Sequence, residues 1–176
     1  GEGLSLKALE CALCSKVMID PVVAADGYSY ERQEIEKYMA RHTHSPKTGR
    51  PFAFKNLVRN NQLRNVIEAW RRDLSGGAWV QSAREELRCP ITMSLMHDPV
   101  VTCDGHSYER SSIIQWLRRH GSSPKSNLPL GSKALITNHA LRQLGECVEA
   151  LSPPQDQADQ PSVPGASPSE TAGLAS

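Results

Sequence analysis

Residues 89–110, CPITMSLMHDPVVTCDGHSYER, recur in weaker form at 11–32, CALCSKVMIDPVVAADGYSYER, and no other feature constrains the fold as tightly. Laid over 89–149 without a gap, residues 11–71 are identical at about 25 of 61 positions, the self-similarity of a repeated structural unit. The identities gather in Asp20-Pro21-Val22-Val23 with Asp98-Pro99-Val100-Val101, in Asp26-Gly27 with Asp104-Gly105, and in Ser29-Tyr30-Glu31-Arg32 with Ser107-Tyr108-Glu109-Arg110. Further on, Ser45-Pro46-Lys47 matches Ser123-Pro124-Lys125, and Asn60, Leu63, Arg64 and Glu68 match Asn138, Leu141, Arg142 and Glu146. One fold is used twice, so whatever holds one copy together must be available to the other.

The 176 residues therefore divide into a lead-in (1–8), a first unit (9–74), a linker (75–86), a second unit (87–151) and a tail (152–176). A unit of some 65 residues buries only about 60% of the surface its unfolded chain exposes, so each core needs a further cross-link: metal, disulfides or a polar network. Disulfides fit poorly. The five cysteines are odd in number, and only Cys11 and Cys89 are equivalent between copies, so reduced thiols and an intracellular setting, cytoplasmic or nuclear, are expected. The net charge is +1, and because 152–176 holds three acids and no base, the remainder carries +4. That unclustered excess argues against a nucleic-acid partner. No apolar run approaches membrane-spanning length, and the N-terminal stretch lacks the character of a signal peptide. The chain opens on Gly1 rather than Met, so a piece of something longer is the expectation.

Local signals give an α+β fold, each unit running loop, β-hairpin, helix, loop, C-terminal helix. In the first unit Val22-Val23 and Tyr28–Tyr30 flank Ala24-Ala25-Asp26-Gly27, and Asp-Gly between β-favouring residues signals a hairpin. Glu31 to about Arg41 reads as a helix with Ile35, Tyr38 and Met39 on one face and Glu31 and Glu34 in its first turn. Pro46, Gly49 and Pro51 make 42–57 a loop, and Asn60 caps a last helix bearing Leu63, Val66, Ile67 and Trp70. The second unit repeats the order, with Ile113, Ile114, Trp116 and Leu117 as the central-helix core and Asn138 capping a helix of Leu141, Leu144, Val148 and Leu151. Gly145 weakens that helix by about 1 kcal/mol relative to Ala. Residues 78–86 extend a short helical turn, and the Pro- and Ser-rich tail is expected to be disordered.

Cys11-Ala12-Leu13-Cys14, with His42 and His44, suggests zinc, but the repeat argues against it. The positions matching Cys14, His42 and His44 are Thr92, His120 and Ser122, so the second unit lacks the ligand set although it must share the fold. No metal or other cofactor is expected. Ser107, Ser111 and His106 are near in sequence without a glycine-flanked nucleophile elbow, and Tyr28 stands where His106 does, so a nucleophilic site is not indicated.

Cys89-Pro90-Ile91, Met96-x-Asp98-Pro99-Val100-Val101, Asp104-Gly105-His106-Ser107-Tyr108-Glu109-Arg110, Ile113-x-x-Trp116-Leu117, Ser123-Pro124-Lys125 and Ile136-x-Asn138-x-x-Leu141 together resemble the U-box. This is the RING-like, zinc-free module of a class of ubiquitin ligases. The first unit resembles it less closely, lacking the Pro after its first Cys. The resemblance implies that Asp98, Glu109, Arg110, Lys125 and Asn138, with Asp20, Glu31, Arg32, Lys47 and Asn60, brace the loops where metal would otherwise sit. The alternative for each is a solvated charge.

It also implies a groove for a ubiquitin-conjugating enzyme formed by Ile91, Met93, Trp116 and Pro124, with Leu13, Ser15, Tyr38 and Pro46 at the matching positions. For Ile91 and Trp116 the competing reading is plain core. Ser15 in place of Met93 removes an apolar anchor. A donor that steadies ubiquitin falls at Asn127, where the first unit has Gly49. The expected activity is that of a ubiquitin-protein ligase, acting without a covalent intermediate and mainly through the second unit. Its expected partners are the conjugating enzyme, ubiquitin and a protein substrate. A non-catalytic scaffold is the rival, and self-association into a homodimer is left open.

Overall fold

The computed structural model describes residues 6–73 and 76–151; the tail expected to be disordered lies outside them. A 3-10 turn, Leu6–Leu9, leads into β1 (Pro21–Val23), β2 (Ser29–Glu31), α1 (Arg32–Met39), β3 (Val58–Arg59) and α2 (Asn61–Arg72). Then come α3 (Ala78–Glu86), β4 (Pro99–Val101), β5 (Ser107–Glu109), α4 (Arg110–Arg119), β6 (Ile136–Thr137) and α5 (His139–Ala150). Among the described residues no helix is long and apolar enough to cross a membrane.

Each hairpin gains a third strand that the sequence does not signal: β3 and β6 pair antiparallel with β1 and β4, giving sheets ordered β2-β1-β3 and β5-β4-β6. Two residues are too few to display the alternation that identifies a strand. The hairpin turns fall at the Asp-Gly pairs, with Gly27 at φ 81° and Gly105 at φ 83°, a left-handed conformation that glycine adopts without a Cβ penalty. Asn60 and Asn138 precede α2 and α5 as N-caps, accepting from the amides of Leu63 and Leu141.

Two of the expected core residues lie at the surface: Ile114 and Leu151 are 38% and 39% exposed, and only Ile113 and Leu117 of α4 are buried. An eight-to-ten-residue helix against a three-stranded sheet covers one stripe, and Ile114 falls outside it. Gly145 is buried in α5, with the nearest atom to a Cβ placed there being the Met96 carbonyl oxygen at 3.7 Å, an ordinary contact. Gly145→Ala is therefore expected to add up to about 1 kcal/mol of stability, seen as a rise of roughly 2–4 °C in thermal midpoint.

The linker forms more than a helical turn. Residues 78–86 are the full helix α3, and it buries Trp79 and Ala83. Asp73 closes its N-terminus, accepting from the amides of Gly76 (3.2 Å) and Trp79 (2.9 Å). α3 packs along α2, whereas the Leu6–Leu9 turn packs on α5, so the segment leading into each unit covers the last helix of the other.

This exchange belongs to a pseudo-two-fold interface within one chain. The amide of Asn61 donates to the Gly105 carbonyl (3.4 Å) and that of His139, the equivalent residue, donates to the Gly27 carbonyl (3.2 Å). At the centre Asn60 and Asn138 exchange side-chain hydrogen bonds, Nδ2 to Oδ1, both 3.1 Å. Each Nδ2 also donates to the serine hydroxyl of its own unit, Asn60 to Ser29 (3.0 Å) and Asn138 to Ser107 (3.1 Å). Both asparagines are fully buried with partners on every side, which a buried amide requires. The two residues expected to brace loops join the two units instead.

The symmetry breaks at one pair of positions, and the break is compensated. In the first unit the Ala12 amide donates to the Ser29 carbonyl (3.1 Å). The equivalent residue in the second unit is Pro90, which has no N–H to give. Gln62 takes over from the other unit: its Nε2 donates to the Ser107 carbonyl (2.9 Å) and its Oε1 accepts from the Ser107 amide (3.0 Å). Gln62 is itself buried, and its counterpart across the pseudo-two-fold is the apolar Ala140.

Two histidines lie near the same interface. His139 stacks on Tyr28 with ring centroids 4.6 Å apart, while His106 occupies the position equivalent to Tyr28 and buries an unpartnered Nδ1. Burial pushes both imidazoles below their ordinary value of 6.5, the carboxylates of Asp104 and Asp26 only partly opposing it. The unfolded chain thus takes up protons first as pH falls. Stability contributed by the neutral rings is complete above 6.5 and is lost as pH drops toward the lowered folded values. Thermal melts at pH 7.5 and 5.5 are expected to show a lower midpoint at pH 5.5, and His139→Phe, which keeps a ring on Tyr28, is expected to narrow the difference.

Candidate functional site

Two loops in each unit end in the same construction. In the first loop Cys11 is buried and its Sγ accepts from the amides of Leu13 (3.4 Å) and Glu31 (3.2 Å); Cys89 accepts likewise from Glu109 (3.3 Å). The Glu31 carboxylate reaches back to the amides of Ile19 (2.6 Å) and Asp20, rather than serving the first turn of α1. Glu109 does the same for His97 (2.8 Å) and Asp98 (3.3 Å). The loop is then pinned to the helix by Arg32 Nε to Asp20 Oδ2 and Arg110 Nε to Asp98 Oδ2, both 2.6 Å. Because these pairs are about a third exposed, their net worth is modest, and their main effect is to fix the loop's direction. Arg110 adds a bond to Thr137 Oγ1 (2.6 Å) on β6; the first unit has Arg59 there and makes no such bond.

The second loop is tied by residues that the sequence reading passed over. Asp26 accepts from the hydroxyls of Tyr30 (2.7 Å) and Ser45, and Ser45 Oγ accepts from the amides of Lys47 (3.1 Å) and Thr48 (3.0 Å). In the second unit Tyr108 meets Ser123 at 3.1 Å, and Ser123 Oγ accepts from the amides of Lys125 and Ser126. Burial would raise the Asp104 carboxyl, but the hydroxyls of Ser123 and Thr102 outweigh it and hold it below the ordinary value. Burial first, and Asp26 second, push the Tyr30 phenol well up, so it stays a donor. Lys47 and Lys125 contribute only their backbone amides: their side chains are exposed and form no ion pair among the described residues, Lys47 lying over the Tyr28 ring at 5.8 Å. The signal was in the sequence, since Ser45, Tyr30 and Asp26 recur as Ser123, Tyr108 and Asp104.

No group of three or more His, Cys, Asp or Glu residues is disposed to hold a metal ion among those described. His42 and His120 are engaged otherwise: each ring stacks on the aromatic one turn back in the central helix, His42 on Tyr38 at 4.1 Å and His120 on Trp116 at 4.0 Å. Each Nδ1 lies about 3 Å from the carbonyl oxygen of that same residue, closing the helix end.

In the second unit Ile91 of the first loop and Trp116 of α4 line one open groove of about 620 Å³ with Gln115 and Arg119, and Pro124, expected there, does not line it. Both are half-buried, so each packs on the core and still offers a face to solvent. The Trp116 indole N–H donates to the Ser122 carbonyl (2.8 Å), locking the ring against the loop that carries half-buried Pro124. Met93 is 65% exposed and lines a neighbouring depression beside Arg84, Arg88 and Glu149 rather than the groove itself. Its backbone is left-handed, φ 59°, as is that of its counterpart Ser15, φ 56°. A bulky residue held there carries strain of about 1 kcal/mol or more. Leu128, also 65% exposed, adds an apolar side chain to the second loop where the first unit has Arg50; that difference between copies was the only signal for it. Asn127 is exposed with φ 60°, matching Gly49 at φ 70°, so the position demands a residue that tolerates left-handed backbone. In the first unit Leu13, Tyr38 and Pro46 are half-buried at the equivalent sites.

The comparisons with known proteins agree with the duplicated architecture. The family model for the U-box domain matches twice, at residues 7–75 and 83–146. The chain is 48% identical over 61 residues to U-box domain-containing protein 1 of Medicago truncatula, covering 34% of this chain and 9% of that protein. It is 48% identical over 59 residues to U-box domain-containing protein 54 of Arabidopsis thaliana (33% and 19%). It is 46% identical over 59 residues to WD repeat, SAM and U-box domain-containing protein 1 of Gallus gallus (33% and 12%). The chain thus spans less than a fifth of the length of each of these relatives. With two α+β units, each built of two polar-braced loops around a short helix and both matched by the family model, the chain belongs to the U-box domain family.

Proposed function

We propose that the chain is the ligase part of a ubiquitin-protein ligase, in which the second unit docks a ubiquitin-charged conjugating enzyme and promotes transfer to a substrate lysine. The observation that carries this is the groove holding Ile91 and Trp116, half-exposed apolar side chains on a rigid frame, with Met93 exposed on the first loop and Leu128 on the second. Exposed apolar side chains at braced loop tips suit a protein-docking surface. U-box proteins generally act in ubiquitin transfer, which supports a conjugating enzyme as the docked partner. The contribution of such a module is orientation: holding the thioester and the attacking amine together raises the effective concentration of one for the other.

The first unit is the weaker candidate, with Ser15 for Met93, Arg50 for Leu128 and Gly49 for Asn127. It reads as a partner- or substrate-binding copy that also completes the fold of the second. Formation of ubiquitin conjugates by the whole chain with a panel of conjugating enzymes tests the proposal; no product with any enzyme would leave a non-catalytic scaffold. Asn127→Gly refines the assay. Glycine relieves the left-handed backbone while removing the side-chain donor, so the thermal midpoint is expected to hold or rise as transfer falls by about tenfold. Unchanged transfer would remove Asn127 from the ubiquitin-positioning role.

A further inference from the structure

At the inter-unit junction a cavity of about 320 Å³ opens beside Ser29, lined by Lys7, Tyr28, Ser29, Lys47, His139 and Ala140 among others. On the other side the equivalent position is filled by Gln62, which engages both the amide and the carbonyl of Ser107. In β2 the alternation of the ladder turns the amides of residues 29 and 31 away from β1: that of Glu31 meets Cys11 Sγ, while that of Ser29 has no protein partner among the described residues. The Ser29 carbonyl is already served by Ala12. The chain therefore contains its own template for a ligand, with half of the template's work done. Among the described residues Ser29 thus presents a donor alone to the cavity, where Gln62 meets both the amide and the carbonyl of Ser107. A backbone amide aimed into a cavity offers a donor to whatever oxygen can reach it. Two lysines against Glu10 on the cavity wall favour an anionic oxygen over an amide.

We propose that this cavity is a binding site for a carboxylate, presented by a glutamate side chain of an acidic peptide, one oxygen accepting from the Ser29 amide and the charge facing Lys7 and Lys47. The proposal concerns the junction between the units and does not rest on ligase activity.

The test uses the whole ¹⁵N-labelled chain without any conjugating enzyme, titrated with a capped Gly-Gly-Glu-Gly-Gly peptide, its Gln counterpart and free glutarate. A saturable downfield shift of the Ser29 amide proton is expected with the Glu peptide, about tenfold weaker with the Gln peptide. Glutarate binding as well as the Glu peptide would keep the carboxylate site and assign it to small free acids. Ala140→Gln, which places in the cavity the side chain that fills its twin, is expected to abolish the response while leaving the Ser107 amide unmoved. Should that variant misfold, Lys7→Ala with Lys47→Ala, both at the cavity wall, is expected to weaken binding about tenfold. A Ser29 amide unmoved by all three probes at about 10 mM, equal binding of Glu and Gln peptides, or full binding by a folded Ala140→Gln would each overturn it.

Discussion

Replacing Ile91 by Ala is expected to reduce conjugating-enzyme-dependent ubiquitin transfer by roughly 30-fold or more, while Leu13→Ala leaves most of the activity in place. Ile91 is half-buried, so its side chain forms one wall of the groove completed by Trp116, and truncation removes both the contact and part of the wall. An anchor of that kind is worth about 2 kcal/mol in a protein interface, which is the 30-fold. Leu13 holds the equivalent place in a unit whose loops offer Ser15 and Arg50 where the second has Met93 and Leu128, so less docking depends on it. Conjugate formation should be measured beside the thermal midpoints of both variants, because each residue also touches its own core. Equal losses from the two would place function in both units; a loss from Leu13→Ala alone would reverse the assignment.

Asn138→Ala is expected to lower stability by about 3 kcal/mol, a drop of roughly 6–12 °C in thermal midpoint for a structure of this size. The side chain does three jobs: it caps α5 through the Leu141 amide, it holds Ser107, and it exchanges two hydrogen bonds with Asn60 across the units. Loss of the cap alone costs about 1 kcal/mol, and the rest follows from leaving the fully buried Asn60 amide half-paired. Asn60→Ala is expected to cost a similar amount, and the double substitution less than the sum, since the shared pair can be lost only once. Strict additivity in chemical denaturation would mean that the two units do not meet through these residues.

Much of each unit was legible in the sequence because its signals are local. Asp26-Gly27 and Asp104-Gly105 set the hairpins, Asn60 and Asn138 begin the last helices, and Leu63, Val66 and Ile67 fall on one helical face. Each of these depends on a few consecutive residues, and the duplication supplied a second reading of every one. Family membership was legible for the same reason, its motifs being short and repeated.

Three things were decided only in three dimensions. β3 and β6 exist because β1 and β4 had unpaired edges to offer, which two-residue segments cannot announce. Trp79 and Ala83 turned a linker into the helix α3 because α2 stood ready to cover them. Asn60, Asn138 and Gln62 were placed by the pseudo-two-fold: an amide's partners are chosen by whichever buried groups lack one, and those groups came from the other half of the chain. Sequence fixes the donors and acceptors each residue carries and the local geometry that presents them. Which of them meet depends on how two marginal cores bury their remaining surface, and here each does so against the other.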